Sequence, residues 1–459
     1  MNTANLDSDA VAPRPPVTSE ILGHPRGLAY IFFTEAWERF SFYGMQALLM
    51  LYMTGYLLKP GAVEGIAGFA GFRAALESVF GELSTQALAS QIFGLYVALI
   101  YFTPIIGGLI GDRLTGRTRA VLAGALLMAA GHFMMAFEAA FLPALLSLIL
   151  GSGLLKGNLA AQVGALYAKD DRRRDSAYTA YITAINIGAF VSPLVCGSLG
   201  ELYGWHYGFT AAGFGMLIGI VIYLSGRHHL PPELPRHEAG TRVALGPGDA
   251  RVIVALLVLL ALTSTFWIVQ AQVWNIYPLW LRDVVDRDLW FGFTIPVTWF
   301  QSLDALTVLL LAPVTVWFWR WQSKRAAEPA DLVKIALGCG FFGLSCVLLS
   351  LGQALAVDGR VWVIWPVMFH FVVAIGYLYA APIALSLVSR AAPAAVNAML
   401  VGSYYLGIFI GGIVSGWLGR FYESLPPSVF WLLHAAIGVG GGVLILILKR
   451  RFVRELRLT

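Results

Sequence analysis

Apolar stretches long enough to cross a bilayer as helices, which takes about 20 residues each, alternate with short polar connections along most of the chain. Six fall at roughly 29–58, 88–111, 118–141, 143–168, 176–199 and 207–226, and six more at roughly 251–281, 291–319, 331–357, 361–389, 394–419 and 428–448. A polar, proline-bearing stretch, 227–248, separates the two sets. The pattern predicts an all-α integral membrane protein with twelve transmembrane helices in two six-helix bundles, 29–226 and 249–450. It also predicts a disordered tail over 1–28, a linker over 227–248 and a basic tail over 451–459. The first twenty residues hold three prolines and no apolar core, unlike a signal peptide.

Composition agrees with lipid as the main solvent. Of the 459 residues, 58% are hydrophobic and 12% charged, against about a quarter charged in ordinary globular chains. The net charge of +5 matters less than where the basic residues fall. With both termini on one face, that face carries 23 of the 31 lysines and arginines and the other face 6; the remaining two, Arg39 and Lys156, lie inside helices. The positive-inside bias places both termini in the cytoplasm of an inner, or plasma, membrane, and removes any need for a nucleic-acid partner. Cys196, Cys339 and Cys346 lie in apolar runs at spacings that match no disulfide or metal framework.

Two bundles around a polar linker are the organisation of a transporter with its substrate site between the halves. Five charges inside the apolar segments sharpen that reading: Glu35, Glu38 and Arg39 in the first, Lys156 in the fourth and Asp304 in the eighth. Each costs about 2.5–3.5 kcal/mol near a helix centre, so they must face one another or water. Positions 35, 38 and 39 share one helix face, and Lys156 opposite them would complete a cluster of two acids and two bases. Such a cluster can tie helices together, or it can exchange protons as its pairings change. His132 and His370 are lone histidines in the third and tenth segments. A patch at 72–83, in the connection 59–90, is amphipathic and is expected to rest on the outer membrane face.

Two motifs add a resemblance. Gly107, Gly108 and Gly111 followed by Asp112, Arg113, Gly116 and Arg117 resemble the GxLxDRxGRR loop of the major facilitator superfamily. There Gly108 would let helices approach, while Asp112, Arg113 and Arg117 would lock their ends by charge. The run from Glu35 to Tyr43, with Glu38, Arg39 and Phe40 in place, resembles the ExxERFxYY signature of proton-dependent oligopeptide transporters, with Phe42 replacing one tyrosine. Lys156-Gly157-Asn158, the stretch from Ile185 to Phe190, Gly204-Trp205, Phe266-Trp267 and the stretch from Ile295 to Leu303 extend the likeness through both halves.

The resemblance implies a symporter, not an enzyme, that imports di- and tripeptides with protons by alternating access. It would need no cofactor beyond the coupling proton and would work as a monomer in lipid. In relatives the positions of Arg39 and Lys156 face the peptide carboxylate, and Tyr43, Tyr101, Asn186, Trp267 and Gln272 occupy pocket positions. The acids that relatives carry in the seventh and tenth helices are here Ala271 and Tyr377, and an eighth-helix asparagine is here Asp304. Glu35, Glu38 and Asp304 are therefore the expected proton-coupling acids. Asp304 and Tyr377 join the expected substrate contacts. The altered amine-reading position leaves a transporter of another amphoteric or anionic solute as the alternative.

The charge bias makes a direct prediction. A cysteine introduced into 227–248 should resist an impermeant thiol reagent on intact cells and react after permeabilisation. Labelling on intact cells would overturn the topology.

Overall fold

The computed structural model describes residues 20–168, 171–230, 245–288, 292–325 and 327–457. Most of the expected linker, and the expected tail up to residue 19, lie outside the described residues. The first half contains α1 (Arg26–Tyr52), α2 (Phe69–Phe80), α3 (Thr85–Ile110), α4 (Arg117–Met134), α5 (Phe141–Ala165), α6 (Arg173–Ser192), α7 (Ser198–Tyr203) and α8 (Trp205–Gly226). The second contains α9 (Asp249–Gln272), α10 (Tyr277–Val284), α11 (Val297–Ser323), α12 (Asp331–Ala354), α13 (Ile364–Ala391), α14 (Asn397–Gly419) and α15 (Pro427–Glu455).

Ten helical segments among the described residues are long and apolar enough to cross a membrane. The other two long helices of the twelve-helix expectation are α1 and α4. Three charges interrupt the middle of α1, and α4 is 18 residues long and begins at Arg117 with Arg119 close behind.

Proline accounts for two further departures. The seventh apolar stretch is not one helix: the chain turns over Val273–Ile276 between α9 and α10, because Pro278 has no N–H to bond the carbonyl of Trp274. Pro193 likewise opens a π-helical segment, Pro193–Gly197, between α6 and α7. Both tails are shorter than expected. A two-stranded hairpin of β1 (Glu20–Ile21) and β2 (His24–Pro25) leads into α1, and α15 continues through Glu455. The amphipathic patch at 72–83 is largely the helix α2.

Within the first half, α1 packs on α6 and α8, and α5 on α3 and α4; within the second, α12 packs on α13 and α15, and α9 on α14 and α15. Two reciprocal pairs join the halves: α3 with α14, and α6 with α11. Small residues bring the first pair together. Ser90, Gly94 and Ala98 on α3 recur every four residues and face Gly412 and Gly416 on α14; a Cβ at Gly94 would lie 2.5 Å from the carbonyl oxygen of Gly412. Ser90 Oγ donates to the Gly416 carbonyl (3.0 Å) and accepts from Asn275 Nδ2 (2.8 Å).

The second pair is joined by a helix cap made in trans. Glu201 on α7 accepts the N–H groups of Val297 and Thr298, both at 2.8 Å, and the Thr298 hydroxyl at 2.7 Å, so a carboxylate from one half covers the start of α11 in the other. Trp299 Nε1 donates to Ser198 Oγ at 2.7 Å beside it. Arg420 Nη1 to the Phe80 carbonyl (2.8 Å), and Ser84 to Glu423, complete the closure at this end.

Removing the trans cap should loosen this end of the molecule. Glu201→Ala is expected to cost the closed arrangement about 1 kcal/mol, roughly a fivefold change in the closed-to-open ratio. Spin labels at the exposed positions Tyr203 and Phe293 should then show a longer, broader distance distribution. A distribution identical to that of the unmutated protein would show that the cap does not hold the halves together.

Candidate functional site

From Ser90 at the closed end, α3 runs eleven residues, about 16 Å, to Tyr101 in the wall of a cavity of about 230 Å³ between the two halves. The first half contributes Tyr43 and Gln46 from α1, Tyr101 from α3 and Asn186 from α6. The second contributes Trp267 and Gln270 from α9, Asp304 from α11 and Tyr377 from α13. The Tyr43 and Trp274 rings meet across the junction with centroids 5.3 Å apart. Six of the expected residues, Tyr43, Tyr101, Asn186, Trp267, Asp304 and Tyr377, thus converge on one space from six helices.

Behind Tyr43 and Tyr101 lies the expected charge cluster, with one difference. Arg39 Nε stands 2.8 Å from Glu35 Oε1 and 2.5 Å from Glu38 Oε2, both carboxylates being fully buried, and Tyr181 donates to the other oxygen of Glu35 at 2.7 Å. Lys156 does not join an acid. Its ammonium sits over the rings of Phe42 and Tyr101, 4.0 and 4.8 Å from their centroids. Among the described residues it makes no ion pair, because the aromatic faces supply an electrostatic partner that needs no carboxylate. Among the described residues Lys156 Nζ and Glu38 Oε1, the oxygen away from Arg39, are buried without hydrogen-bond partners, so the cluster has capacity for another donor and another acceptor.

On the opposite wall Asp304 Oδ2 accepts a hydrogen bond from Gln270 Nε2 at 3.0 Å. The cavity therefore has an acid on its second-half side, while on the first-half side the Lys156 ammonium lies outside the lining, against the Tyr101 ring. Gln270 was not singled out from the sequence. The available signal was its place three residues beyond Trp267 in α9, which sets both side chains on one face.

Three expectations need correcting. Gln272 does not line the cavity: its amide donates to the Ser415 carbonyl (3.2 Å) and to His434 Nε2 (2.9 Å), packing α9 against α14 and α15. His434 Nδ1 lies 2.9 Å from the Phe430 carbonyl and so carries the proton, leaving Nε2 as the acceptor. Gly108 faces open space; Gly107 and Gly111 are the glycines pressed against α5, at Gly153 and Asn158. Asn158 also donates to the Gly107 carbonyl at 2.9 Å. Asp112 pairs with Arg117, the first residue of α4, at 2.8 Å, while exposed Arg113 makes no ion pair among the described residues. The Asp112–Arg117 pair thus ties the helical turn that continues α3 to the start of α4, as expected, and only Arg113 takes no part in the lock. Of the lone histidines, His132 is fully buried in α4, away from this cavity.

Comparison with known proteins gives this arrangement its relatives. The sequence profile described as "POT family" matches residues 118–245 and 247–432. A di-/tripeptide transporter of Lactococcus lactis subsp. cremoris is 28% identical over 94% of this chain and 96% of its own length. Among solved structures, a variant of the peptide transporter POT in complex with alafosfalin superposes with a TM-score of 0.81 at 29% identity, covering 96% of this chain and 97% of that one. A POT family transporter in complex with 5-aminolevulinic acid also gives 0.81, at 25% identity over 94% and 98%. With the profile spanning both helical bundles and the same fold in these transporters, the chain belongs to the POT family of membrane transporters and has the major facilitator superfamily fold.

Proposed function

We propose that this protein is a proton-coupled symporter that imports di- and tripeptides across the plasma membrane by alternating access, as a monomer with both termini cytoplasmic. The observation that carries the reading is an acid, Asp304, in one wall of the cavity and an ammonium free of ion pairs, Lys156, against the Tyr101 ring of the other. A peptide of any sequence has one carboxylate and one ammonium at its ends, and fixed charges of opposite sign on opposite walls select that feature while ignoring side chains. Lys156, held by aromatic faces and free of acids, is the cation for the carboxylate, with Arg39 behind it. Asp304 is the anion for the ammonium. That a relative 28% identical over nearly the whole chain is a di-/tripeptide transporter supports this assignment.

Electroneutrality supports the coupling. Glu35, Glu38, Arg39 and Lys156 sum to zero when all are ionised. An arriving substrate carboxylate adds one negative charge to a buried site of low polarity, and a proton on Glu38 or Glu35 restores the balance. The closure by Glu201, Ser90 and Arg420 lies at the end opposite the termini, so the cavity is the inward-facing form. A second reading, another small amphoteric solute, draws support from Tyr377 and from the relative that binds 5-aminolevulinic acid.

Uptake of a labelled dipeptide into proteoliposomes with an inward-acid gradient tests the reading. Accumulation should follow the gradient and be competed by tripeptides more strongly than by 5-aminolevulinic acid; the reverse order would favour the second reading. Lys156→Ala should reduce gradient-driven uptake to background while the purified protein remains folded. Full activity in that variant would refute the carboxylate assignment. Asp304→Asn keeps the size and the Gln270 contact, and it should erase the preference for a free amine over an N-acetylated peptide. An unchanged preference would leave Asp304 a packing residue.

A further inference from the structure

His370 on α13 is fully buried, and neither ring nitrogen has a hydrogen-bond partner among the described residues. Buried polar atoms are rarely left in this state, and each one calls for an explanation. Its Nδ1 lies 4.0 Å from Asp304 Oδ1, the carboxylate oxygen not engaged by Gln270. The imidazole thus stands directly behind the cavity-facing acid. Thr307 on α11 donates to the His370 carbonyl at 3.2 Å and fixes the backbone, while the Tyr277 ring of α10 packs edge-on against the imidazole with centroids 5.3 Å apart. The other titratable groups facing the pair are Tyr43 of α1 and Tyr377 of α13 across the cavity wall. Gln270 of α9 is the neutral neighbour.

We propose that Asp304 and His370 form a two-position proton store in the second half, in which Asp304 takes the proton from the cavity and His370 holds it while the Asp304 carboxylate binds the substrate ammonium. A lone acid can neutralise a proton or an ammonium, but not both at once, and would exchange one for the other. With an imidazole behind it the acid can pass the proton on and still meet the ammonium as a carboxylate, the positive charge gained on this side being matched by the substrate's own carboxylate. A hydronium ion in the cavity gives its proton to an Asp304 oxygen and leaves as water. Rotation of the carboxyl group closes the gap to His370 to hydrogen-bonding distance, about 2.7–3.0 Å. The O–H bond then breaks as an N–H bond forms at Nδ1, leaving a carboxylate toward the cavity and an imidazolium behind it. Before substrate arrives, either placement of the proton leaves the loaded pair neutral, so the store adds no net charge to the apolar interior. The role of the ammonium rests on the peptide reading above; the sharing of the proton between Asp304 and His370 does not.

The test uses full-length purified protein and two optical readouts. Acid titration followed by infrared difference spectroscopy should show a protonated-carboxyl band that is absent from Asp304→Asn, together with an imidazole ring change over the same pH interval that is absent from His370→Gln. At a pH where the pair is loaded, adding a dipeptide should remove the carboxyl band and strengthen the imidazolium signal, with no proton released to a weakly buffered indicator solution. In His370→Gln the same addition should release the proton to solution, and gradient-driven accumulation should be lost. Equal release from both proteins, or an acid titration without the imidazole change, would overturn the proposal. If His370→Gln does not fold, the titration of the unmutated protein still decides, since a carboxyl band that titrates without any histidine signal refutes the pair. A dipeptide that fails to bind would refute the peptide reading alone, and the acid titration would still judge the proton store.

Discussion

A guanidinium cannot shed its proton to escape hydrocarbon, so Arg39 must bring its counter-ions with it. Placing Glu35 and Glu38 four residues and one residue before it on the same helix does so locally, and α1 can then enter the centre of the fold with its charges satisfied. Much of the architecture is arranged around that helix. α6 and α8 cover it, Tyr181 of α6 reaches in to Glu35, and its next turn carries Phe42 and Tyr43 toward the lysine and the cavity. Because Arg39 is already paired, Lys156 is left free of an acid, and the polarity of the first-half wall follows from that.

The two halves meet under a different constraint. Lipid offers no hydrophobic drive for one helix to adhere to another, so the junction relies on close backbone contact and hydrogen bonds. Glycines on α3 and α14 supply the contact, and Glu201, Ser90 and Asn275 supply polar links that can be broken and remade. Each link is modest in strength, which suits a surface that must separate during a transport cycle. A large, oily interface would hold one state too firmly.

Most of the fold was legible in the sequence, because apolar length and loop charge are dictated by the bilayer and not by subtle packing. Helix continuity failed where proline overrode hydropathy, as at Pro278, since an apolar run shows only that a segment can be buried and not that its hydrogen bonds continue. The site was legible through residues lipid makes conspicuous: Glu35, Glu38, Arg39, Lys156 and Asp304. Which of them touch one another was not, and neither was the displacement of Gln272 from the cavity. Those depend on the rotation of each helix about its axis. Positions 270 and 272 differ by about 200° around a helix, so an error of two positions turns a cavity residue into a packing residue. Glu201 was invisible for a related reason: a cap in trans joins residues 96 positions apart, with no local pattern to mark it.

The aromatic seat of Lys156 has a consequence of its own. A cation held by carboxylates must give up directed hydrogen bonds before it can accept a new anion, and that reorganisation is subtracted from affinity. A cation resting on the faces of Phe42 and Tyr101 has all three of its N–H bonds unspent. The attraction of a ring face is broad in angle, so the ammonium can tilt toward carboxylates that arrive at different heights. Phenylalanine at position 42 keeps that surface free of a hydroxyl that would compete for those bonds. The lysine behaves as a ball on a smooth bearing, and in its proposed role as the carboxylate partner tolerance for ligands of different length would be a property of the mounting as much as of the cavity.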